Sequence, residues 1–512
     1  MSSLIKNELT KIFKKKSIYI TLFVVLAFVI LTNCIYKFFF TTGNSYGYSE
    51  SYISYIKEDL ERLDPSKPSD TTMYIELKSQ LETYELMQKY DEDAWQRQII
   101  ASQVAGDINE KNTYLYSSEK DEAKAQEIEN NINDILQKLD SDDWKYFANL
   151  ELEQADAKLK ELEEQKANTQ DKQLLEELEV SIENAKIDKE VAEYRINQDV
   201  KYGTDYLNEA LTSYQGCAQN LIQMGNADNL EYKDKLQYNE SLEQKEVNKY
   251  IIENKQDINK INDTRGILKN FFSEYGLFII VIIVMIAGTI VSEEFNKGTV
   301  KLLLIKPYSR TKILLSKYIT ILIMTVFAIV IILLMELIVG GIVFGFDSLS
   351  VPVLEYNFNT SQLEILNIFT YVGIEILTQL PMIILLATLA FALSTIFTNS
   401  ALAITISLLG FMSPSIINAL VIQYKVGFMK YFVTMNWDLS GYLFGSLPSM
   451  EGMTMGFSIV MCFIYLFAML IPTFIIFKKK NIKNISQEIW GNLGRFTIGD
   501  FVQLGNVKQK KK

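Results

Sequence analysis

From Ser17 to Tyr36 the chain carries no charged residue. At about 1.5 Å per residue, a helix over this run reaches across an apolar layer about 30 Å thick. It exceeds the apolar region of a cleaved leader and lacks a small-residue cleavage site, so it is expected to remain as an anchor. Charge-free runs from Tyr275 to Ser292, and from Tyr318 past Glu336 to Phe346, predict a second and a third crossing. Between Glu375 and Lys425 lie 49 uncharged residues, which as one helix would measure about 74 Å, too long for any bilayer. That run must fold back, and its polar break is Thr398-Asn399-Ser400. A fourth span over 367–397, a fifth over 401–422 and a sixth over 457–477 follow.

The polar stretch between the first two spans has a different period. No proline lies between Pro68 and Pro307, so nothing interrupts helices over most of residues 41–270. Leu152, Ala155, Leu159 and Leu162 recur at helical spacing, as do Leu178, Ile182, Ala185, Ala192 and Ile196. The two registers do not join across Ala167-Asn168-Thr169-Gln170, which predicts an antiparallel helical hairpin. Weaker stripes, at Ile128, Ile132, Ile135 and Leu139 and from Leu242 to Ile261, suit helices packed on it. Parts of this block, especially residues 41–72 with their Ser/Tyr/Gly/Pro mixture, read as candidates for disorder. The expected fold is an all-α membrane protein with six transmembrane helices and a large helical, coiled-coil ectodomain between spans one and two.

Charge turns this layout into a topology. Residues 41–270 hold 49 acidic and 27 basic residues, while the remainder of the 512-residue chain holds 13 and 23. Five lysines lie in 1–16, six Lys/Arg in 292–317 and nine in 478–512. Short basic segments stay in the cytoplasm, which places both termini and the 292–317 loop inside and the acidic block outside. The expected division is thus a cytoplasmic amphipathic helix (1–16), span one (17–40), an extracellular domain (41–270), a five-span domain (271–477) and a basic cytoplasmic tail (478–512). Aromatic and glycine-rich residues 423–450 suit an interface between the fifth and sixth spans.

Composition then restricts the chemistry. There is no histidine, so histidine triads, relays and zinc sites are excluded. Cys34, Cys217 and Cys462 are too scattered for a metal cluster or a disulfide framework. No GxxxxGK[ST] string is present, so nucleotide-driven work would fall to a partner. Two acids interrupt apolar runs, Glu336 and Glu375, each about 12–14 Å from the predicted outer end of its span. Acids at such depth point to a bundle interior or a transport path.

The loop after the second span, SEEFNKGTVKLLLIKPYSRTKILLSKY, carries Glu293, Glu294, Gly298, Thr299, Leu303, Leu304, Pro307, Ser309, Arg310, Ile313, Leu314, Lys317 and Tyr318. This pattern resembles the signature of type-2 ATP-binding-cassette exporter permeases. The opening LIKNELTKIFKKKSIYI is similar to that family's amphipathic interface helix, with Leu4, Ile5, Leu9, Ile12 and Phe13 on one face and Lys6, Lys11 and Lys14 on the other. LATLAFALSTIFTNSALAITISLL is similar to its fourth span, turn and fifth span. The resemblance implies a permease without an ATPase site of its own, paired with a second permease subunit and two cytoplasmic ATPases that bind ATP and Mg. It implies that Glu8, Lys11, Glu293, Glu294, Gly298, Thr299, Pro307 and Arg310 take part in coupling to those ATPases. Export or extraction of a peptide, lipid-like toxin or antibiotic at a bacterial cell membrane follows as the expected activity. No metal and no nucleic acid are expected. The long segment after span one departs from the family pattern, and a surface receptor, a secretion accessory protein or an extracellular-ligand sensor shares the same layout.

Overall fold

The computed structural model describes residues 1–39, 50–118, 120–300, 308–423, 427–448 and 450–480, with the side chains of 50 and 413–423 left aside. A short helix α1 (Ser2–Phe13) precedes α2 (Lys16–Phe39). Helices α3 (Glu50–Arg62) to α11 (Tyr232–Asn254) form the acidic block, and α12 (Thr264–Lys269) leads into α13 (Phe271–Thr289) and α14 (Ser292–Asn296). The long α15 (Arg310–Phe344) is followed by strands β1 (Val353–Asn357) and β2 (Gln362–Leu366), then by α16 (Ile368–Phe397), α17 (Ser400–Gln423) and α18 (Met455–Lys479). Among the described residues, five helices are long and apolar enough to cross a membrane: α2, α13 with α14, α15, α16 and α18. Large apolar side chains on their outer faces, such as Phe23, Val24 and Phe38, are exposed, which suits an apolar surrounding rather than water.

Within the acidic block the helices start where aspartate can cap them. Asp121, Asp143, Asp171 and Asp205 accept backbone N–H bonds at the first turns of α7 (Glu122–Asp140), α8 (Trp144–Asn168), α9 (Lys172–Asn197) and α10 (Tyr206–Met224), satisfying donors that a helix cannot pair internally. The turn between α8 and α9 falls at 169–171, and the two helices pack along their length with Ala155, Leu178, Ile182 and Ala185 buried. That is the predicted hairpin. A second core joins Trp95, Ile99, Ile100, Leu139, Phe147 and Tyr202.

The structure departs from expectation at four places. Residues 50–62 are helical despite their turn-forming composition, because Ile53 and Ile56 bury against Leu77 and Leu81 of α4 (Pro68–Met87). The fold is not wholly α-helical: β1 and β2 pair antiparallel between α15 and α16, in the register Glu355 to Glu364. This hairpin completes a small core in which Leu354 meets Leu211, Tyr214, Ile251 and Ile252 of the acidic block. The third apolar helix starts at Arg310, eight residues before the charge-free run, because Ser309 accepts a bond from Lys312 N–H and caps it there; the loop drawn at 292–317 is shortened accordingly. Cys217, whose place in the acidic block leads one to expect a thiol reachable from outside the cell, is buried beside Gln244, so packing hides it.

Block and bundle are joined at Arg265, whose side chain is fully buried. Its guanidinium donates to the carbonyls of Ile258 at 2.6 Å and Pro352 at 3.1 Å, so the chain before α12 and the chain before β1 converge on one cation. The next residue, Gly266, lies so close to the preceding loop that an added Cβ would stand 2.4 Å from Lys260 O and 2.7 Å from Ile261 Cα. Those are backbone atoms and cannot swing aside. Gly266→Ala is therefore expected to destabilise the junction by about 1–3 kcal/mol, measured as a lowered midpoint in thermal unfolding of the detergent-solubilised chain.

Candidate functional site

Helix α1 buries Leu4, Glu8 and Ile12, one residue per turn on one face. An acid on that face needs a partner, and Lys317 supplies it from the second turn of α15. Its ammonium donates to Glu8 Oε2 at 2.7 Å, to Glu294 Oε1 at 2.9 Å and to Ile290 O at 3.1 Å. The three hydrogens of the ammonium thus meet three acceptors, one of them a carbonyl at the carboxyl end of α13, where the helix dipole favours a cation. Lys11 bridges the same two acids from the outside, 2.7 Å from Glu8 and 2.8 Å from Glu294. Two acids and two bases alternate, and the network ties α1, α14 and α15 together. Glu293 adds a second tie, pairing with Lys15 and, at 2.6 Å, with Lys297.

The charges in this cluster hold one another in place. Burial alone would push the Glu8 carboxyl up, but the Lys317 and Lys11 ammonium groups outweigh it and hold Glu8 below the usual carboxylate range. Burial would likewise pull Lys11 down, and bonds to Glu294 and Glu8 raise it instead.

Around the cluster the loop turns at Gly298, whose φ of +69° is a left-handed conformation that glycine adopts without strain. Thr299 Oγ1 donates to Glu294 O at 3.4 Å. Pro307 falls in 301–307, outside the described residues. Arg310 donates to the carbonyls of Lys478 and Lys480 at 3.0 and 2.9 Å, clamping the end of α18, and Lys480 donates to Thr395 O and Ile396 O at the end of α16. Tyr318 meets Thr388 of α16 at 2.8 Å. A cleft of about 500 Å³ opens between α1 and the α14 turn, edged by Asn7, Lys11, Lys14, Glu294, Lys297 and Thr299.

Of the eight residues assigned to coupling, Glu8, Lys11, Glu293 and Glu294 come together here, with Gly298 and Thr299 at the adjoining turn. Arg310 serves a separate clamp. Lys11 does not sit on a face opposite the apolar one, as the residue pattern suggests, but folds back onto the acids. Lys317 and Lys15 carry the cluster and are not in that set. A lysine seven residues inside a helix that continues as an apolar span was the available signal, since it cannot remain buried unpaired.

The two acids within the spans are separated. Glu336 is fully buried between α2 and α13, accepting bonds from Asn33 and Tyr275. Glu375 lines a different cavity of about 210 Å³ with Glu355, Tyr371, Gln379 and Ser440, against the β-hairpin and the short helix Ser440–Gly445. At equal depth along the chain, the two acids face different neighbours around the bundle.

Residues 245–483 match the family described as protein of unknown function (DUF2705). Over 215 residues the chain is 35% identical to the uncharacterized protein YhcI of Bacillus subtilis (strain 168), covering 42% of this chain and 67% of that protein. Over 200 residues it is 26% identical to the uncharacterized membrane protein YdbK of the same organism, covering 39% and 76%. No solved structure matches the chain.

Lys317→Met would leave Glu8 and Glu294 with Lys11 in place of two shared cations, and a loss of about 1–3 kcal/mol is expected. Lys297→Ala, at an exposed pair, should stay within about 0.5 kcal/mol; thermal unfolding distinguishes the two. The pH dependence follows from the directions above. Glu8 titrates lower folded than unfolded, so its contribution is present above the ordinary value of 4.5 and is lost as pH falls through the depressed one. Lys11 titrates higher folded, so its contribution is full below 10.5 and is lost as pH rises past the elevated value. Proteolysis of α1 should accordingly be slowest between these limits and speed up in acid.

Proposed function

We propose that this chain, which belongs to the same family as YhcI of Bacillus subtilis, is the permease subunit of an ATP-binding-cassette exporter. It works with two cytoplasmic ATPases, which bind ATP and Mg, and with a second permease subunit that is identical or homologous. Six spans cross the bacterial cell membrane, α17 being the fifth. Both termini lie inside, and the acidic helical block of residues 41–270 lies outside. The cargo class is a peptide, lipid-like toxin or antibiotic.

The observation that carries this reading is the buried ion network of Lys317, Glu8 and Glu294. A surface helix resting on a bilayer needs no desolvated salt bridge to stay there, since its apolar face suffices. Tying it to the loop after the second span and to the root of the third makes one stiff body of three helices. A push delivered at the cleft beside α1 and the Gly298 turn then moves all of them, instead of only bending a loop. Closure of the ATPase pair supplies such a push, and α15, about 50 Å long at 1.5 Å per residue, carries it through the membrane. At its far end, α15 packs against α12 and the chain leading to β1, so the movement reaches the outer block.

Co-purification tests the proposal. An ATPase should accompany the affinity-purified chain from its native host and be reduced at least several-fold by Glu294→Ala and by Gly298→Leu, with the permease still folded. A fully functional chain that carries no ATPase would refute the exporter reading in favour of a receptor. Loss of an external response on deletion of 73–265, with ATP hydrolysis retained, would favour a sensor.

A further inference from the structure

Glu336 sits among spans with an acceptor to spare. Its Oε2 takes the Asn33 amide at 2.9 Å and the Tyr275 hydroxyl, which is itself bonded by Thr32. Its Oε1 has no partner among the described residues, and neither has Asn33 Oδ1, although both side chains are fully buried. Two bare acceptors on side chains that already share one hydrogen bond are anomalous, because a buried acceptor without a donor is strongly disfavoured. We propose that Glu336 holds a proton on Oε1 and donates it to Asn33 Oδ1, so that acid and amide close a two-bond ring and form a proton-binding site between α2 and α15.

A single proton repairs both defects. It removes a charge from an interior where no cation bonds to Glu336 among the described residues, and it turns one of the two orphan acceptors into the donor that the other lacks. Among the described residues no neighbouring group does this instead. Thr264 of α12 and Glu336 Oε1 both border Gly340, where a built Cβ would stand 2.9 Å from Glu336 Oε1 and 3.1 Å from Thr264 Cγ2. The Thr264 hydroxyl, however, spends its hydrogen on Gly345 O at 2.8 Å. The charged and titratable groups around the site are accounted for on every packed element. On α13, Tyr275 donates to Glu336 and Glu274 accepts from Tyr36 of α2. On α2, Lys37 donates to Val343 O. On α12, Arg265 is turned to the carbonyls of Ile258 and Pro352. The remaining acid, Glu274, repels an ionised Glu336 and so acts in favour of the proton.

The site links motion to protonation. With the proton in place, α2 is held on α15 by two hydrogen bonds; with it gone, Glu336 Oε1 and Asn33 Oδ1 oppose each other with no hydrogen between them, and the contact opens. A conformational cycle that separates α2 from α15 would release a proton, and an alkaline medium would favour the separated form. This inference stands apart from the exporter reading, because its readout involves no ATPase.

Infrared spectroscopy of the full-length chain in lipid nanodiscs provides the test, with the proton varied through pH. At neutral pH the spectrum should contain a protonated-carboxyl band that disappears in Glu336→Gln and survives in Glu375→Gln. The Glu336→Gln chain, whose amide can replace both bonds of the ring, should unfold at the wild-type temperature, whereas Glu336→Ala should unfold earlier. An unchanged band in Glu336→Gln, or a Gln variant that misfolds or unfolds as early as the Ala variant, would overturn the proposal.

Discussion

One buried ammonium organises the end of the bundle on which α1 rests. Lys317 lies near the root of a 35-residue helix, with its side chain shielded from solvent, and a lone charge there would be strongly destabilising. The condition is met only if Glu8 and Glu294 arrive together, one from the amino-terminal helix and one from the turn after α13. The position of α1 is therefore dictated by charge neutrality as well as by its apolar stripe. A purely apolar stripe would let α1 slide or roll on the bundle; a three-acceptor ammonium site has one geometry. This explains why an exposed element with modest burial is fixed to the bundle, and why the neighbouring cleft has charged edges in a defined arrangement.

The opposite end is organised by the same logic with different groups. Arg265 gathers backbone carbonyls from two chain segments, and Gly266 allows the segments to approach within contact of each other. The acidic block is thus connected to the bundle by a packed joint, with the β-hairpin wedged between them through Leu354 and Tyr356. Glu243 of α11 accepts from Tyr356 N–H at 3.5 Å, and Tyr232 of the same helix donates to Pro448 O. Movements of α11 are therefore linked to both the hairpin and the loop before α18.

Between the two ends the bundle is almost wholly apolar, so its few polar groups determine which helices neighbour which. Tyr318 with Thr388 joins α15 to α16, Ser292 N–H with Ser394 joins α14 to α16, and Glu336 with Asn33 and Tyr275 joins α15 to α2 and α13. Apolar contacts in such a bundle are nearly interchangeable with lipid contacts, whereas a hydrogen bond between spans has one partner. Residues that seem minor in a hydropathy profile consequently do much of the specifying.

Much of this was legible in the residue pattern because it depends on local periodicity and length. The apolar runs marked each long helix, the phase break at 167–170 marked the α8–α9 turn, and Thr398-Asn399-Ser400 marked the fold-back, with Thr398 adopting a positive φ of 54°. Tertiary structure alone decided the partners. That Lys317 belongs with Glu8, 309 positions away, that Glu336 faces Asn33 while Glu375 faces the hairpin, and that a strand pair lies between α15 and α16 all depend on which surfaces meet. Helical period and hydropathy say which face of a helix is buried, but they do not say against what. Pairing of buried charges and polar groups is a property of three-dimensional proximity, and it appears only when the helices are assembled.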